Sequence, residues 1–191
     1  IHFGSYGTVC LDTKTGKPLW ERRDIVCNHW RGPGSSPILY QNLLIVNYDG
    51  YDAQYVLALD KKTGRDVWKA VRSHKYAGAD GDTKKGYGTC AVFEINGRPQ
   101  LISPAAQAIY ALDPMSGKEL WVARYPSHST GSRPLYAHGL IYVSTGFGKA
   151  DLYAIKPDGR GDVTDTHVAW KATKGIGSKP SPLVVDDLIY S

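Results

Sequence analysis

The sequence predicts an all-β chain folded as a β-propeller of four-stranded antiparallel blades, and three observations carry that prediction. One phrase recurs along the chain: Cys10-Leu11-Asp12-Thr13-Lys14-Thr15-Gly16-Lys17-Pro18-Leu19-Trp20, Ala58-Leu59-Asp60-Lys61-Lys62-Thr63-Gly64-Arg65-Asp66-Val67-Trp68, and Ala111-Leu112-Asp113-Pro114-Met115-Ser116-Gly117-Lys118-Glu119-Leu120-Trp121. A stretched fourth copy runs from Ala154-Ile155-Lys156-Pro157-Asp158-Gly159 to Val168-Ala169-Trp170. The tryptophans Trp20, Trp68, Trp121 and Trp170 fall about 50 residues apart, a period typical of propellers and solenoids. Between them lie short alternating runs rich in β-branched and aromatic residues, bounded by Gly, Pro, Asn and Asp, which is the pattern of antiparallel strands.

Each phrase reads as a hairpin tip. Asp12, Asp60 and Asp113 stand where a side-chain carboxylate bonds the backbone of the turn that follows. Gly16, Gly64 and Gly117 stand where the chain needs a positive φ to close the loop. The tryptophan on each returning strand is large enough to fill the gap between two sheets. A single four-stranded blade leaves its faces half covered, and radial stacking completes their burial.

The phrase resembles the pyrroloquinoline-quinone (PQQ) repeat of quinoprotein-type β-propellers, over nearly the whole chain. That family contains bacterial quinoprotein dehydrogenases and cofactor-free propellers of the outer-membrane assembly (BamB) kind. The resemblance implies a ring of seven or eight blades of which this chain is a part, with the remaining blades as neighbours. It also implies a periplasmic, cell-envelope or secreted setting. PQQ enters as a cofactor by resemblance alone.

The chain has 191 residues, with 42% hydrophobic and 21% charged residues and a net charge of +5. That composition is ordinary for a globular protein. The charge is mild and comes in pairs such as Arg22-Arg23 and Lys84-Lys85, and no nucleic-acid motif accompanies it, so no nucleic-acid partner is expected. No apolar run reaches the length of a transmembrane segment. The cysteines Cys10, Cys27 and Cys90 are far apart and lack metal or haem spacing; they read as buried thiols, with one disulfide as the alternative.

In chain order, residues 1–34 form part of a blade, with one strand from Phe3 to Leu11, the first hairpin, and a return through Trp20. Residues 35–88, 89–131 and 132–177 form complete blades, and residues 178–191 begin another. Asp49-Gly50 and Asn96-Gly97 mark turns. Pro37, Pro134 and Pro182 stand at the starts of inner strands, where a missing N–H is tolerated. Three complete blades and two partial ones amount to four blades of sequence. A closed four-bladed ring and an open half-ring both fit that count, and the resemblance favours the half-ring.

The chain offers no catalytic constellation. The quinoprotein pattern implies a calcium ion, a catalytic aspartate, a stacking tryptophan and often a pair of adjacent cysteines; the cysteine pair is absent and no aspartate matches. Asp80-Gly81-Asp82 lacks the further oxygen ligands of a calcium loop and reads as solvated, so no metal site is expected. Asp158 to Asp165 reads as filler in an extended hairpin. The expected function is a non-catalytic binding or scaffolding module, with part of a PQQ-dependent dehydrogenase and a BamB-like assembly module as alternatives.

The expected binding surface is the axial mouth. Gly34-Ser35-Ser36-Pro37, Gly88-Thr89-Cys90-Ala91, Gly131-Ser132-Arg133-Pro134 and Gly177-Ser178-Lys179-Pro180 precede successive inner strands. Read as equivalents, they ring the opening with Ser36, Cys90, Arg133 and Lys179. The loops feeding that rim carry His29, Trp30, Arg31, Lys84, Lys85, Tyr87 and His128. Together they make a positively charged, aromatic-lined mouth suited to a small anionic ligand, or to an acidic peptide of a protein partner.

Overall fold

The computed structural model describes residues 1–76 and 80–191. A two-stranded sheet opens the chain, β1 (Thr8–Leu11) against β2 (Pro18–Arg22). Next comes a four-stranded sheet of β3 (Ile38–Tyr40), β4 (Leu43–Asp49), β5 (Gln54–Asp60) and β6 (Asp66–Val71), paired in sequence order. The third sheet repeats that meander with β7 (Ala91–Ile95), β8 (Arg98–Pro104), β9 (Ala108–Leu112) and β10 (Glu119–Arg124). The fourth contains β11 (Leu135–Ala137), β12 (Leu140–Ser144), β13 (Leu152–Ile155) and, beyond the short β14 (Gly161–Asp162), β15 (Val168–Ala172). The hairpin of β16 (Leu183–Val185) and β17 (Leu188–Tyr190) closes the series.

Side-chain alternation lets each four-stranded sheet feed two cores. Along β4 and β5, Leu43, Ile45, Val56 and Ala58 point to one core, shared with Cys90, Leu101, Tyr110 and Val122 of the following sheet. Their neighbours Val46, Tyr48, Tyr55, Leu57 and Leu59 point to the opposite core, shared with Trp20 and Cys27. A third cluster joins β7–β10 to β11–β15, and a fourth joins that sheet to Val184 and Ile189 of the last hairpin. Every core therefore lies between consecutive sheets, which is the radial stacking of a propeller.

The repeated phrase forms the same object each time. Asp60 Oδ1 accepts from the amides of Lys62 and Thr63 at 3.0 and 2.8 Å and from Thr63 Oγ1 at 2.9 Å. Asp12 and Asp113 repeat these bonds with Lys14 and Thr15 and with Met115 and Ser116. Gly16, Gly64 and Gly117 have φ of 68°, 71° and 72°. The four tryptophans of the repeated phrase have one register: Cys10 faces Trp20, Ala58 faces Trp68, Ala111 faces Trp121 and Ala154 faces Trp170, each beside a bulge.

That register aims three indoles at the next sheet. Trp20 Nε1 donates to the Lys61 carbonyl at 3.0 Å, and Trp68 Nε1 to the Pro114 carbonyl at 3.2 Å. Beneath each ring lies the glycine of the hairpin being contacted; a Cβ on Gly64 would come within 2.6 Å of Trp20, and one on Gly117 within 2.5 Å of Trp68. Trp121, fully buried, uses a relay: its Nε1 donates to Gln100 Oε1 at 3.0 Å, and Gln100 Nε2 donates to the Pro157 carbonyl at 3.0 Å. Pro157 holds the place in its phrase that Lys61 and Pro114 hold in theirs.

Several local expectations are corrected. The strand from Phe3 to Leu11 is interrupted by a 3-10 turn at Gly4–Tyr6, because Gly4 and Gly7 both take positive φ and only Thr8 onward pairs with β2. The loop that carries Asp80-Gly81-Asp82, from Arg72 to Tyr87, is not simply solvated. Arg72 and Lys85 are buried, Asp80 caps a 3-10 turn at Gly81–Lys84, and Gly81 lies under the Tyr51 ring; the middle of the segment lies outside the described residues. The acidic insertion does more than fill a hairpin. Its strand β14 pairs in parallel with β10 of the preceding sheet, Trp121 opposite Gly161, and Val163 is buried in the shared core. The cysteines are free thiols, as expected, but Cys10 is only half-buried; burial pushes the Cys27 and Cys90 thiols up to about 12. Trp170 is 40% exposed, against 0% for Trp121 and 9% for Trp68.

Candidate functional site

The loops after β6 and β10 and the β12–β13 loop are stitched together by backbone bonds. Gly86 N donates to the Asp49 carbonyl, Tyr87 N to Thr130, Ser129 N to Lys85 and Phe147 N to His128, at 2.7 to 3.1 Å. Three successive loops are thereby held edge to edge on one face. Beneath them Arg72 grips Asp49 through two bonds, Nε to Oδ1 at 2.9 Å and Nη2 to Oδ2 at 2.6 Å, with both side chains buried. Burial pushes the Asp49 carboxyl up while Arg72 works against it. The guanidinium also lies over the Tyr110 ring, 4.8 Å from its centre.

The rim gathers three of the expected residues around one carboxylate. Lys85 forms an ion pair with Asp82, and His128 Nε2 stands 3.8 Å from Asp82 Oδ2. Lys85, His128 and Arg31 together hold the Asp82 carboxyl below its usual range, Lys85 most strongly. Burial, the largest single influence, pushes the Lys85 ammonium down, but Asp82 and Tyr87 together more than offset it and leave it above the ordinary lysine value. Lys85 is only 2% exposed, so it supports the rim from within and presents no free charge. Sequence reading missed Asp82. Its only signal was the Asp-Gly-Asp triplet, and its partner His128 lies far along the chain.

The other expected residues are spread around this centre. Lys179 Nζ donates to the Ser129 carbonyl at 3.3 Å and lies 5.7 Å from the centre of the Phe147 ring, which meets His128 edge-on at 5.8 Å. Lys179 and Arg133 do not share a register. The residue two before β11 is Arg133, whereas the residue two before β16 is Ser181, whose hydroxyl accepts from Arg133 N at 2.9 Å. Ser36 is exposed and its amide donates to Thr89 Oγ1. Lys84 is half-exposed, and Tyr87 packs its ring on Gly34.

His29 and Trp30 form a second feature. His29 is buried against Tyr48, and burial holds its imidazole below the ordinary histidine value. Trp30 is 68% exposed and has φ of 61°, a conformation rare for a bulky side chain. The loop is fixed from several sides: Trp30 N donates to Asn28 Oδ1 at 2.9 Å, Asn28 N to Asp52 Oδ1 at 2.8 Å, and Tyr51 N to the Asn28 carbonyl at 2.6 Å. Strain of this sort persists only where the surroundings over-determine it. Phe3 and Tyr6, both exposed, join Trp30 around a cavity of about 170 Å³ floored by Cys27, Asn28 and His29.

This architecture matches a known family. The family described as outer membrane protein assembly factor BamB matches residues 4–191. The chain belongs to that family of PQQ-repeat β-propellers. No curated protein matches the sequence. Among solved structures, BamB from Moraxella catarrhalis is similar with a TM-score of 0.65 and 16% identity, over 97% of this chain and 51% of that one. This chain thus spans about half the length of that BamB. Quinohemoprotein alcohol dehydrogenase from Comamonas testosteroni is similar with a TM-score of 0.51 and 19% identity, over 74% of this chain and 21% of that one. The computationally designed Ika8 protein has a TM-score of 0.58 and 11% identity, over 94% of this chain and 47% of that one. These likenesses show the fold.

PQQ is a possible cofactor by that resemblance alone. Arg72 and Lys85 are each paired with a carboxylate. Among the described residues no group of three or more His, Cys, Asp or Glu could hold a metal ion. Among the described residues, likewise, no helix is long and apolar enough to cross a membrane.

Proposed function

We propose that this chain is a non-catalytic binding module of a BamB-type propeller, acting in the bacterial cell envelope and holding an acidic peptide of a protein partner on its rim. The observation that carries this reading is Trp30, a large aromatic held outward in a strained conformation by Asn28 and Asp52. A strained, exposed and rigidly braced aromatic is costly to the fold and suits an anchor for a partner. Phe3 and Tyr6 extend the apolar shelf, and the exposed Arg31 stands next to it. Arg133 and Lys179 are exposed further round the rim and supply the remaining positive charge. Lys85 contributes rigidity instead, since its ammonium is committed to Asp82.

The test is a titration, by intrinsic tryptophan fluorescence, with an oligo-glutamate peptide carrying one aromatic residue and separately with PQQ. Peptide binding that weakens with salt, falls about tenfold or more in Trp30→Ala and falls again in Arg31→Ala supports the reading. No peptide binding, or binding unchanged in both variants, overturns it. Binding of PQQ alone would move the chain to the quinoprotein side of its family.

A further inference from the structure

The junction between the third and fourth sheets differs from the one before it. At the earlier junction Trp68 lies on the Gly117 hairpin, where an added Cβ would come within 2.5 Å of the ring, and the space left is about 120 Å³. At Trp121 the insertion of the fourth phrase stands in place of that glycine hairpin. Its second half is tied to β10: Gly161 and Asp162 pair with Trp121 and Val122, Val163 N donates to the Val122 carbonyl at 2.8 Å, and Arg124 Nη1 lies 2.9 Å from Asp162 Oδ2. Its first half, Pro157 to Arg160, and the β7–β8 turn are the two walls of a cavity of about 360 Å³. That volume is in the range of small-molecule sites. Gly159 holds the insertion close, since a Cβ there would come within 2.5 Å of Val163 and 2.9 Å of His167. Both walls belong to complete four-stranded units. Each strand runs from one face to the other, so the Asn96-Gly97 end of β7 and β8, and the cavity with it, lies opposite the stitched loops and Trp30.

We propose that this cavity binds a small carboxylic acid with an apolar body. Ile95, Leu120 and Trp121 line it from the core side, Ile95 and Trp121 being buried and Leu120 half-buried. The polar atoms there are already engaged: Gln100 Oε1 accepts from Trp121 Nε1 and Gln100 Nε2 donates to the Pro157 carbonyl, both at 3.0 Å. The floor therefore favours an apolar body, and the selection of a polar group falls to the mouth. Arg98, at the start of β8, and Arg160, on the insertion, line the cavity from its two walls and are exposed. Among the described residues neither takes part in an ion pair, whereas Arg22, Arg72 and Arg124 each do. Asp158 is the one acid in the lining, and His167 Nε2 stands 3.8 Å from its Oδ1. Two arginines against one aspartate leave a single positive charge, which matches a monoanion better than a phosphate carrying two charges. A guanidinium fork fits a carboxylate through two parallel bonds, and at this mouth two such forks share one opening.

The test is a titration of the chain labelled with ¹⁵N at tryptophan, following the five indole resonances. The probes are 3-phenylpropanoate, its neutral counterpart 3-phenylpropanamide, and inorganic phosphate. The expected result is a saturable shift of the Trp121 resonance by the acid, with Trp30 unmoved and the amide binding at least about tenfold more weakly. Arg98→Ala and Arg160→Ala should each weaken binding of the acid about tenfold, and the double variant further, with Tm unchanged because both side chains are exposed. No shift of Trp121 at millimolar acid overturns the proposal. So does an amide that binds as tightly as the acid, a shift unchanged in the double variant, or phosphate that binds at this resonance more tightly than the acid. The peptide reading of the rim is decided separately, at Trp30 and Arg31.

Discussion

Trp68 lies against Gly117 of the following blade, with its indole Nε1 3.2 Å from the Pro114 carbonyl. One contact thereby uses the ring face, the ring N–H and the absence of a side chain on the glycine. Trp68→Ala should cost about 3–5 kcal/mol, the usual loss for emptying a large aromatic site. Urea unfolding of the variant measures it.

Gly117→Ala and Gly16→Ala form a matched pair. Both residues have positive φ, so both substitutions carry similar backbone strain, about 1 kcal/mol. Only at Gly117 does the new Cβ strike an indole. Gly117→Ala should therefore be the more destabilising by 1 kcal/mol or more, roughly the range of an overpacked core. Equal losses would mean that the tryptophan contributes little to blade docking.

The Gln100 relay should be less tolerant than its size suggests. Gln100→Leu removes the acceptor for Trp121 Nε1 and the donor to the Pro157 carbonyl, leaving a buried indole N–H unpaired. The expected cost is about 1–3 kcal/mol in thermal or urea unfolding.

These hairpins were legible because their bonds are local: Asp60 to Thr63 spans three residues, and a glycine with positive φ follows from the turn itself. The indole relay through Gln100 was not, since nothing in the third phrase distinguishes Trp121 from Trp68. The rim was read as a ring of free cations because lysine, arginine and histidine stand in its loops. Whether a charge is free depends on its partner, and Asp82 meets His128 across a distance in sequence that no local pattern encodes. Arg72 and Asp49 escaped notice for the same reason. The parallel pairing of β14 with β10 rests on two residues and carries no periodic signal.

Arg72→Met should cost about 3–5 kcal/mol, because it strands the Asp49 carboxylate in the interior. The double variant Arg72→Met with Asp49→Leu should recover part of that loss. A double variant as unstable as the single one would show that the pair serves packing alone.

A pH dependence follows from the half-buried His2 beside the first sheet. His2 Nδ1 is 2.8 Å from Thr8 Oγ1, and its ring meets Tyr48 edge-on at 5.4 Å. Burial, with His29 nearby as a second cause, lowers the His2 imidazole to about 4. The unfolded chain takes up this proton near pH 6.5 and the folded chain only near 4, so the unfolded state binds more protons in between. Stability should be fully present above pH 6.5 and fall as the pH drops from 6.5 to about 4. His2→Asn should flatten that part of the curve. An equally steep fall in the variant would assign it to other groups.

The five indole N–H groups give the most direct test of the propeller docking. Hydrogen exchange of the chain labelled with ¹⁵N at tryptophan should show Trp20, Trp68 and Trp121 protected by their bonds to Lys61, Pro114 and Gln100, with Trp121 the slowest. Trp30 should exchange at the rate of an exposed indole, and Trp170, 40% exposed, faster than the three docked indoles. Trp68 and Trp121 exchanging as fast as Trp30 would contradict blade-to-blade docking as the basis of this fold.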